Sequence, residues 1–191
     1  MILLDDAQST HAHPSSRLYE NPLQRWNIYP QPSYSETVAA VDQCLRAINE
    51  ALHRGEYVVA AFAYELGLYI HKIDRRMDAN KTVHPLLQAW SFKPHESLSK
   101  DGVDALIQSR VSKLEPDSHV AGVASLHFSV DEKQFTADIE AIQEYIRNGD
   151  AYQINHTLRI TGEAYGDPLA LYARLRSRQP GRFGADRKSV V

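Results

Sequence analysis

Several features that assign function quickly are missing from this sequence. There is one cysteine, Cys44, so no intramolecular disulfide is available and a reducing, cytoplasmic setting is expected. There is no excess of charge of one sign. The 21 Lys and Arg are set against 24 Asp and Glu, for a formal charge of −3, and they are scattered, which leaves no electrostatic footprint for nucleic acid or an anionic membrane. We expect neither partner. The longest apolar run, Tyr57 to Tyr64, is far short of the roughly 20 residues that carry a helix across a bilayer. Met1-Ile2-Leu3-Leu4-Asp5-Asp6 has no basic region and becomes acidic after three apolar residues, so it does not read as a secretory signal. No phosphate-binding glycine loop, nucleophile elbow, zincin helix or paired Cys-x-x-Cys occurs.

What is present is a chain of 191 residues with 43% hydrophobic content, typical of a globular domain or a piece of a larger protein. Ile2-Leu3-Leu4 reads as a short strand, followed by a turn-rich loop to Ser16. Ser33 or Ser35 caps a helix whose Val38, Val41, Leu45, Ile48 and Leu52 form one buried stripe. Gly55 ends it, and Tyr57 to Tyr64 follows as a strand packed on both faces. The charged stretch His71 to Val83 reads as a solvated connection. Pro85 to Phe92 reads as another strand, and Lys93 to Gly122 as a surface insertion with one helix at Val103, Leu106, Ile107 and Val111.

The second half opens with an alternating strand over Leu126 to Val130. Asp131 then caps a helix, with Gln134 placed as in a capping box and Phe135, Ile139, Ile142 and Ile146 as the buried face. After Gly149 the period changes to two. Tyr152, Ile154, His156, Leu158 and Ile160 point one way, and Gln153, Asn155, Thr157 and Arg159 the other. Asp167-Pro168 starts a helix with Leu169, Tyr172 and Leu175 on its core side, ended by Gln179-Pro180-Gly181. Strands and helices are mixed without internal repeats. The fold class is α+β, or complex α/β, with antiparallel sheets and covering helices.

Few residues point to chemistry. His11-x-His13 lies in a loop with no further ligand at a useful spacing, so no metal site is assigned. The carboxylate of Tyr64-Glu65 decides nothing alone. The polar set Gln153, Asn155, Thr157 and Arg159 stands out, because hydrogen-bonding side chains in a row do not face a dry core. They face solvent, a partner layer or a pocket.

The segment Gly149-Asp150-Ala151-Tyr152-Gln153-Ile154-Asn155 resembles the opening of the chorismate-binding domain in the aminodeoxychorismate synthase component I family. Other segments resemble it in the same order. They are Leu3-Leu4-Asp5-Asp6-Ala7, Ser15-Ser16-Arg17-Leu18-Tyr19, Ala61-Phe62-Ala63-Tyr64-Glu65-Leu66, and Gly166-Asp167-Pro168 through Pro180-Gly181-Arg182-Phe183-Gly184-Ala185. Tyr152-Gln153-Ile154-Asn155 favours this branch over anthranilate synthase component I, which usually has Phe-Gln-Val followed by Pro-Ser or a similar pair.

The resemblance implies an anthranilate-synthase-like fold in truncated form. An N-terminal region would span 1–125, an incomplete start of the chorismate-binding domain 126–185, and an aberrant or truncated tail 186–191. It also implies conversion of chorismate, with ammonia from a glutamine amidotransferase, to 4-amino-4-deoxychorismate for p-aminobenzoate and folate. The Mg²⁺ and the reacting groups that the family uses are expected outside this chain, which has neither the Ser-Pro-Glu nor the Pro-Ile-Lys-Gly-Thr motif. No catalytic, cofactor or metal residue is therefore assigned here, and the chain alone is expected to be inactive. An anthranilate synthase fragment, or a non-catalytic binding remnant, is the alternative. By position, a tryptophan-type pocket of the family maps to Asp6, Ser15, Ser16, Arg17 and Leu18, facing Arg182, Phe183 and Gly184. The same residues also suit a plain domain seam. Arg182 replaces a usual Pro, and the acidic Asp6 stands where a small residue is expected.

Overall fold

A computed structural model of the chain describes residues 1–71, 73 and 84–187, with backbone alone at 186 and 187. Most of the expected solvated connection, His71 to Val83, lies outside the described residues. The fold is α+β, and every strand pairing is antiparallel. Two compact units divide the chain, one of residues 1–105 with 181–191 and the other of residues 106–180.

Among the described residues, the first unit contains two sheets. Strands β1 (Ile2–Asp5), β2 (Ser16–Tyr19), β3 (Gln24–Ile28), β4 (Tyr57–Phe62), β5 (Leu87–Phe92), β6 (Glu96–Leu98) and β9 (Gly184–Arg187) are arranged as β6-β2-β1-β9 and β3-β5-β4. The buried centre is β5. Leu87 and Ala89 on one of its faces pack with Cys44, Ile48 and Val58. Trp90 and Phe92 on the other face pack with Ile2 and Tyr19. A strand buried on both faces reads as a nearly continuous apolar run, and Leu-Gln-Ala-Trp-Ser-Phe is close to one.

That role was expected of β4, and the structure corrects it. Strand order makes β4 an edge, and Ala60, Ala61 and Phe62 are exposed. The 93–122 stretch is also not a surface insertion throughout. Within it β6 pairs with β2 through Ser16↔Leu98, and Val103 of α3 (Lys100–Val111) is fully buried. Residues 184–187, partly expected as an aberrant tail, form β9 and pair with β1 from Asp5↔Gly184 to Ile2↔Arg187.

Helix α1 (Tyr34–His53) starts at Ser33, whose hydroxyl accepts from the Glu36 N–H while the Glu36 carboxylate accepts from the Ser33 N–H. This reciprocal box satisfies donors that the first turn otherwise leaves open. The buried stripe is rotated from the expected one. Thr37, Val41, Cys44 and Ala51 are buried, whereas Leu45 and Leu52 are 43% and 51% exposed. The cap agrees with this rotation. Thr37 Oγ1 donates to the Ser33 carbonyl and accepts from the Gln31 N–H, which turns Thr37 inward. The small Cys44 then faces Leu87 and Ala89 of the sheet, and Ala51 is fully buried. Burial pushes the Cys44 thiol above its ordinary pKa, which suits a packing residue. The short helix α2 (Leu66–Ile70) contributes Leu66, which packs with Val41 and Leu86.

The second unit pairs β7 (Gly122–Phe128) with β8 (Ile160–Tyr165), the register shifting between Ala124 and His127. It also contains α4 (Glu132–Arg147) and α5 (Pro168–Arg178). The Asp131 carboxylate caps α4 by accepting from the Gln134 N–H. Gln134 does not return the bond as expected of a capping box. Its amide donates instead to Asp138 at 2.7 Å. Asp167 caps α5 from just before Pro168, and the Arg174 guanidinium donates to the Ala121 carbonyl.

The apolar side of α4 is only partly covered. Ile139 and Ile142 are half-buried, Phe135 and Ile146 are 39% and 42% exposed, and no residue of the helix is buried. The expected buried face is thus an apolar stripe without a full partner among the described residues. On α5, Leu169 is buried as expected, but Leu175 is 58% exposed.

Candidate functional site

The residues assigned to the N-terminal pocket all belong to the first unit. The pairing of β1 with β9 puts Gly184 opposite Asp5, and the Ala7 N–H donates to the Gly181 carbonyl at 3.0 Å, which brings 181–184 beside the end of β1. The pairing of β1 with β2 brings Ser15 and Ser16 to the same place. Ser15 Oγ donates to Asp6 Oδ2 at 2.7 Å, Gln8 N–H donates to Asp6 Oδ1 at 2.9 Å, and Asp6 N–H donates to Ser16 Oγ at 3.0 Å. Ser9 knits the loop from behind, accepting from the Ser15 N–H and donating to the Leu98 carbonyl.

These bonds favour ionised Asp6. The Ser15 hydroxyl, then the Gln8 N–H, hold its carboxyl below the usual aspartate range; burial opposes them, and the charge of Arg182 adds the weakest contribution. Asp6, Ser15, Ser16 and Arg182 are therefore brought together. Arg17 and Leu18 are adjacent on β2 and point apart, Arg17 exposed and Leu18 buried. Phe183 is 97% exposed.

The second candidate set is placed differently from the sequence expectation. Residues 151–159 form no strand; the ladder begins at Ile160. The physical reason is the lack of a neighbour. Ser129 donates to the Arg159 carbonyl at 2.8 Å and its hydroxyl accepts from the Arg159 N–H at 2.9 Å, but β7 ends at Phe128 and nothing among the described residues pairs further along. Alternation without a ladder does not make two faces. Gln153, Asn155, Thr157 and Arg159 are all exposed, but so are Tyr152, Ile154 and Leu158. Gln153 and Asn155 are linked side chain to side chain at 3.4 Å.

His156, half-buried like Ala151 at the start of this stretch, was placed by the sequence reading on the core side without a role. Its ring lies 5.3 Å from that of Phe135, and its Nε2 is 3.6 Å from Asp138 Oδ2. A histidine in the middle of an apolar alternation was the available signal. Nearby, an open groove of about 520 Å³ is lined by Phe128, Val130, Asp131, Glu132, Phe135 and Leu158. Among the described residues, no three His, Cys, Asp or Glu side chains converge as metal ligands.

The model of the chorismate binding enzyme family matches residues 2–186. The chain belongs to that family. The match runs through both units and includes the Asp6 loop, the 151–159 segment and β9 as far as Asp186. A search of curated proteins gave no match. Among the described residues no helix of this chorismate-binding family member is long and apolar enough to cross a membrane.

Proposed function

We propose that this chain is the N-terminal part of an aminodeoxychorismate synthase component I, the branch of the family that forms 4-amino-4-deoxychorismate from chorismate and ammonia. The observation that carries this reading is the run Gly149-Asp150-Ala151-Tyr152-Gln153-Ile154-Asn155, which resembles that branch. Its setting supports the reading. Gly149 has φ +80° directly after α4, so the chain leaves the helix sharply, and Gln153 and Asn155 are then presented to solvent as hydrogen-bonding groups that suit a small polyhydroxylated acid.

The role proposed for this chain is to supply framework and polar contacts to chorismate, with a glutamine amidotransferase delivering ammonia to the whole enzyme. The reacting carboxylate and lysine are not proposed from these residues, since neither the Ser-Pro-Glu nor the Pro-Ile-Lys-Gly-Thr motif occurs in the 191 residues. Positioned charge and proximity account for most of such an acceleration, and a row of neutral amides does not replace them. The Asp6, Ser15, Ser16 and Arg182 cluster belongs to the same proposal as a tryptophan-type pocket. An ionised carboxylate beside a guanidinium suits the ammonium and carboxylate of an amino acid.

The test is incubation of the chain with chorismate, ammonium and Mg²⁺, followed by chromatography. The expected result is no 4-amino-4-deoxychorismate above a control without protein. Sustained formation by this chain would overturn the assignment of the reacting groups elsewhere. A non-catalytic binding module is the second reading, for which the hydrogen-bonded cluster of Asp6, Ser15 and Ser16 is the observation.

A further inference from the structure

Residues 151–159 form a strap that is fixed at both ends. At one end, the N–H groups of Asp150 and Ala151 both donate to the Tyr145 carbonyl, at 2.9 and 3.4 Å, closing α4. At the other, Arg159 exchanges two hydrogen bonds with Ser129. Between these anchors, the backbone of 152–158 makes no hydrogen bond among the described residues. A segment with that little backbone support opens at low cost unless side chains hold it.

One side chain does approach the scaffold at the middle of the strap. The side chain of His156 is 19% exposed and that of Asp138 33%, with 3.6 Å between Nε2 and Oδ2, and the Nε2 atom is buried without a hydrogen-bond partner. Asp138 is held in turn, because Gln134 Nε2 donates to its other oxygen at 2.7 Å, and the Gln134 N–H donates to the Asp131 cap. A polar chain therefore runs from the start of α4 to the strap, through Asp131, Gln134, Asp138 and His156. Phe135 joins this chain to the groove, since its ring packs on His156 and also lines the groove that Leu158 of the strap completes.

We propose that His156 and Asp138 form a latch that docks the strap on α4 and so fixes the position of Leu158 over the groove. Closing the remaining gap by a few tenths of an ångström brings Nε2–H into hydrogen-bond range of the carboxylate and satisfies a buried side-chain nitrogen that otherwise has no partner. Phe135 supplies the apolar wall that keeps the imidazole from turning to water. With the latch released, the strap moves on its two anchors while both strands and both helices of the unit stay folded. His156 is thus a positioning residue for the polar groups on either side of it, Asn155 and Thr157.

Amide nitrogen-15 relaxation of the full chain, read over 152–158 and over α5 as internal reference, tests the latch. His156→Phe keeps a ring against Phe135 and removes the Nε2 donor. Asp138→Ala removes the acceptor while favouring the helix. Each is expected to lower the order parameters of 152–158 from near the rigid value of about 0.85 to about 0.6 or below, with α5 and the melting temperature unchanged. The double variant should lower them no further than either single variant, and His156→Gln, which restores an N–H donor, should recover most of the order. Wild-type order in His156→Phe would show that the ring alone holds the strap and would overturn the proposal. So would an equal loss of order through α4 and α5, which would make the pair a general support of the unit.

Discussion

Ser15 Oγ donates to Asp6 Oδ2 at 2.7 Å across the mouth of the β1–β2 loop, so the carboxylate that the acidic residue brings to this position is held in one orientation. Asp6 should titrate below the usual aspartate range, chiefly through Ser15. The sign follows from linkage. A carboxyl whose folded pKa is depressed contributes stability that is present above its unfolded pKa and is lost as pH falls through the folded value. Carbon-detected NMR of the Asp6 carboxyl should show an upward shift of its midpoint in Ser15→Ala, with a smaller upward shift in Arg182→Ala. An equal midpoint in all three proteins would mean that the hydroxyl does not bind the carboxylate in solution.

Gly166 separates two kinds of backbone constraint. It has φ +76°, and a Cβ placed there would lie 2.3 Å from the Val120 carbonyl oxygen, a backbone atom that has no room to yield. Gly149 has a similar φ of +80°, with nothing within 4 Å of its added Cβ. Gly149→Ala should cost about 1 kcal/mol from conformation alone, and Gly166→Ala about 3 kcal/mol or more from conformation and clash together. Urea unfolding of the two variants measures the difference. Equal losses would show that the second unit relaxes around residue 166.

Much of the fold was legible because it rests on local signals. The Ser33, Asp131 and Asp167 caps, the Pro168 start and the Gly149 stop all depend on groups within a few residues of one another. Where the sequence reading failed, the deciding partner lay far along the chain. Tyr57 to Phe62 and Leu87 to Phe92 are both apolar runs, and strand order alone makes the second the buried centre and the first an edge. Leu45 and Leu52 fit a helical period as well as Cys44 and Ala51 do, and it is the distant Leu87 and Ala89 of β5, packed against Cys44, that meet the other face of the helix. Over 151–159 the alternation was real but the ladder was not, since a strand needs a neighbour that residue pattern does not report. The clustering of Asp6, Ser15, Ser16 and Arg182 was legible only through family resemblance. The approach of His156 to Asp138 was not legible at all.

The second unit leaves much apolar surface open. Val123, Leu126, Phe128 and Ile160 on its two strands are each at least half exposed, and Phe135 and Ile146 of α4 are close to that. Patches of this extent bind apolar probes. The chain should raise the fluorescence of an anilinonaphthalene dye under native conditions, and Phe128→Ser, which removes a wall of the groove, should lower it by about a third to a half, a share in keeping with the large area one aromatic ring presents. Negligible dye binding together with a sharp cooperative melt would show that these faces are covered in solution.

The most direct test of the proposed branch is the identity of the product when the chain is supplied with what it lacks. The chain would be mixed with a separate polypeptide carrying the Ser-Pro-Glu and Pro-Ile-Lys-Gly-Thr motifs, a glutamine amidotransferase, glutamine, Mg²⁺ and chorismate, and the products resolved by mass and retention time. The account predicts 4-amino-4-deoxychorismate, formed only when both polypeptides are present and reduced by Asn155→Ala without a change in the melting temperature of the chain. Anthranilate as the product, or conversion by either polypeptide at the rate of the mixture, would contradict it.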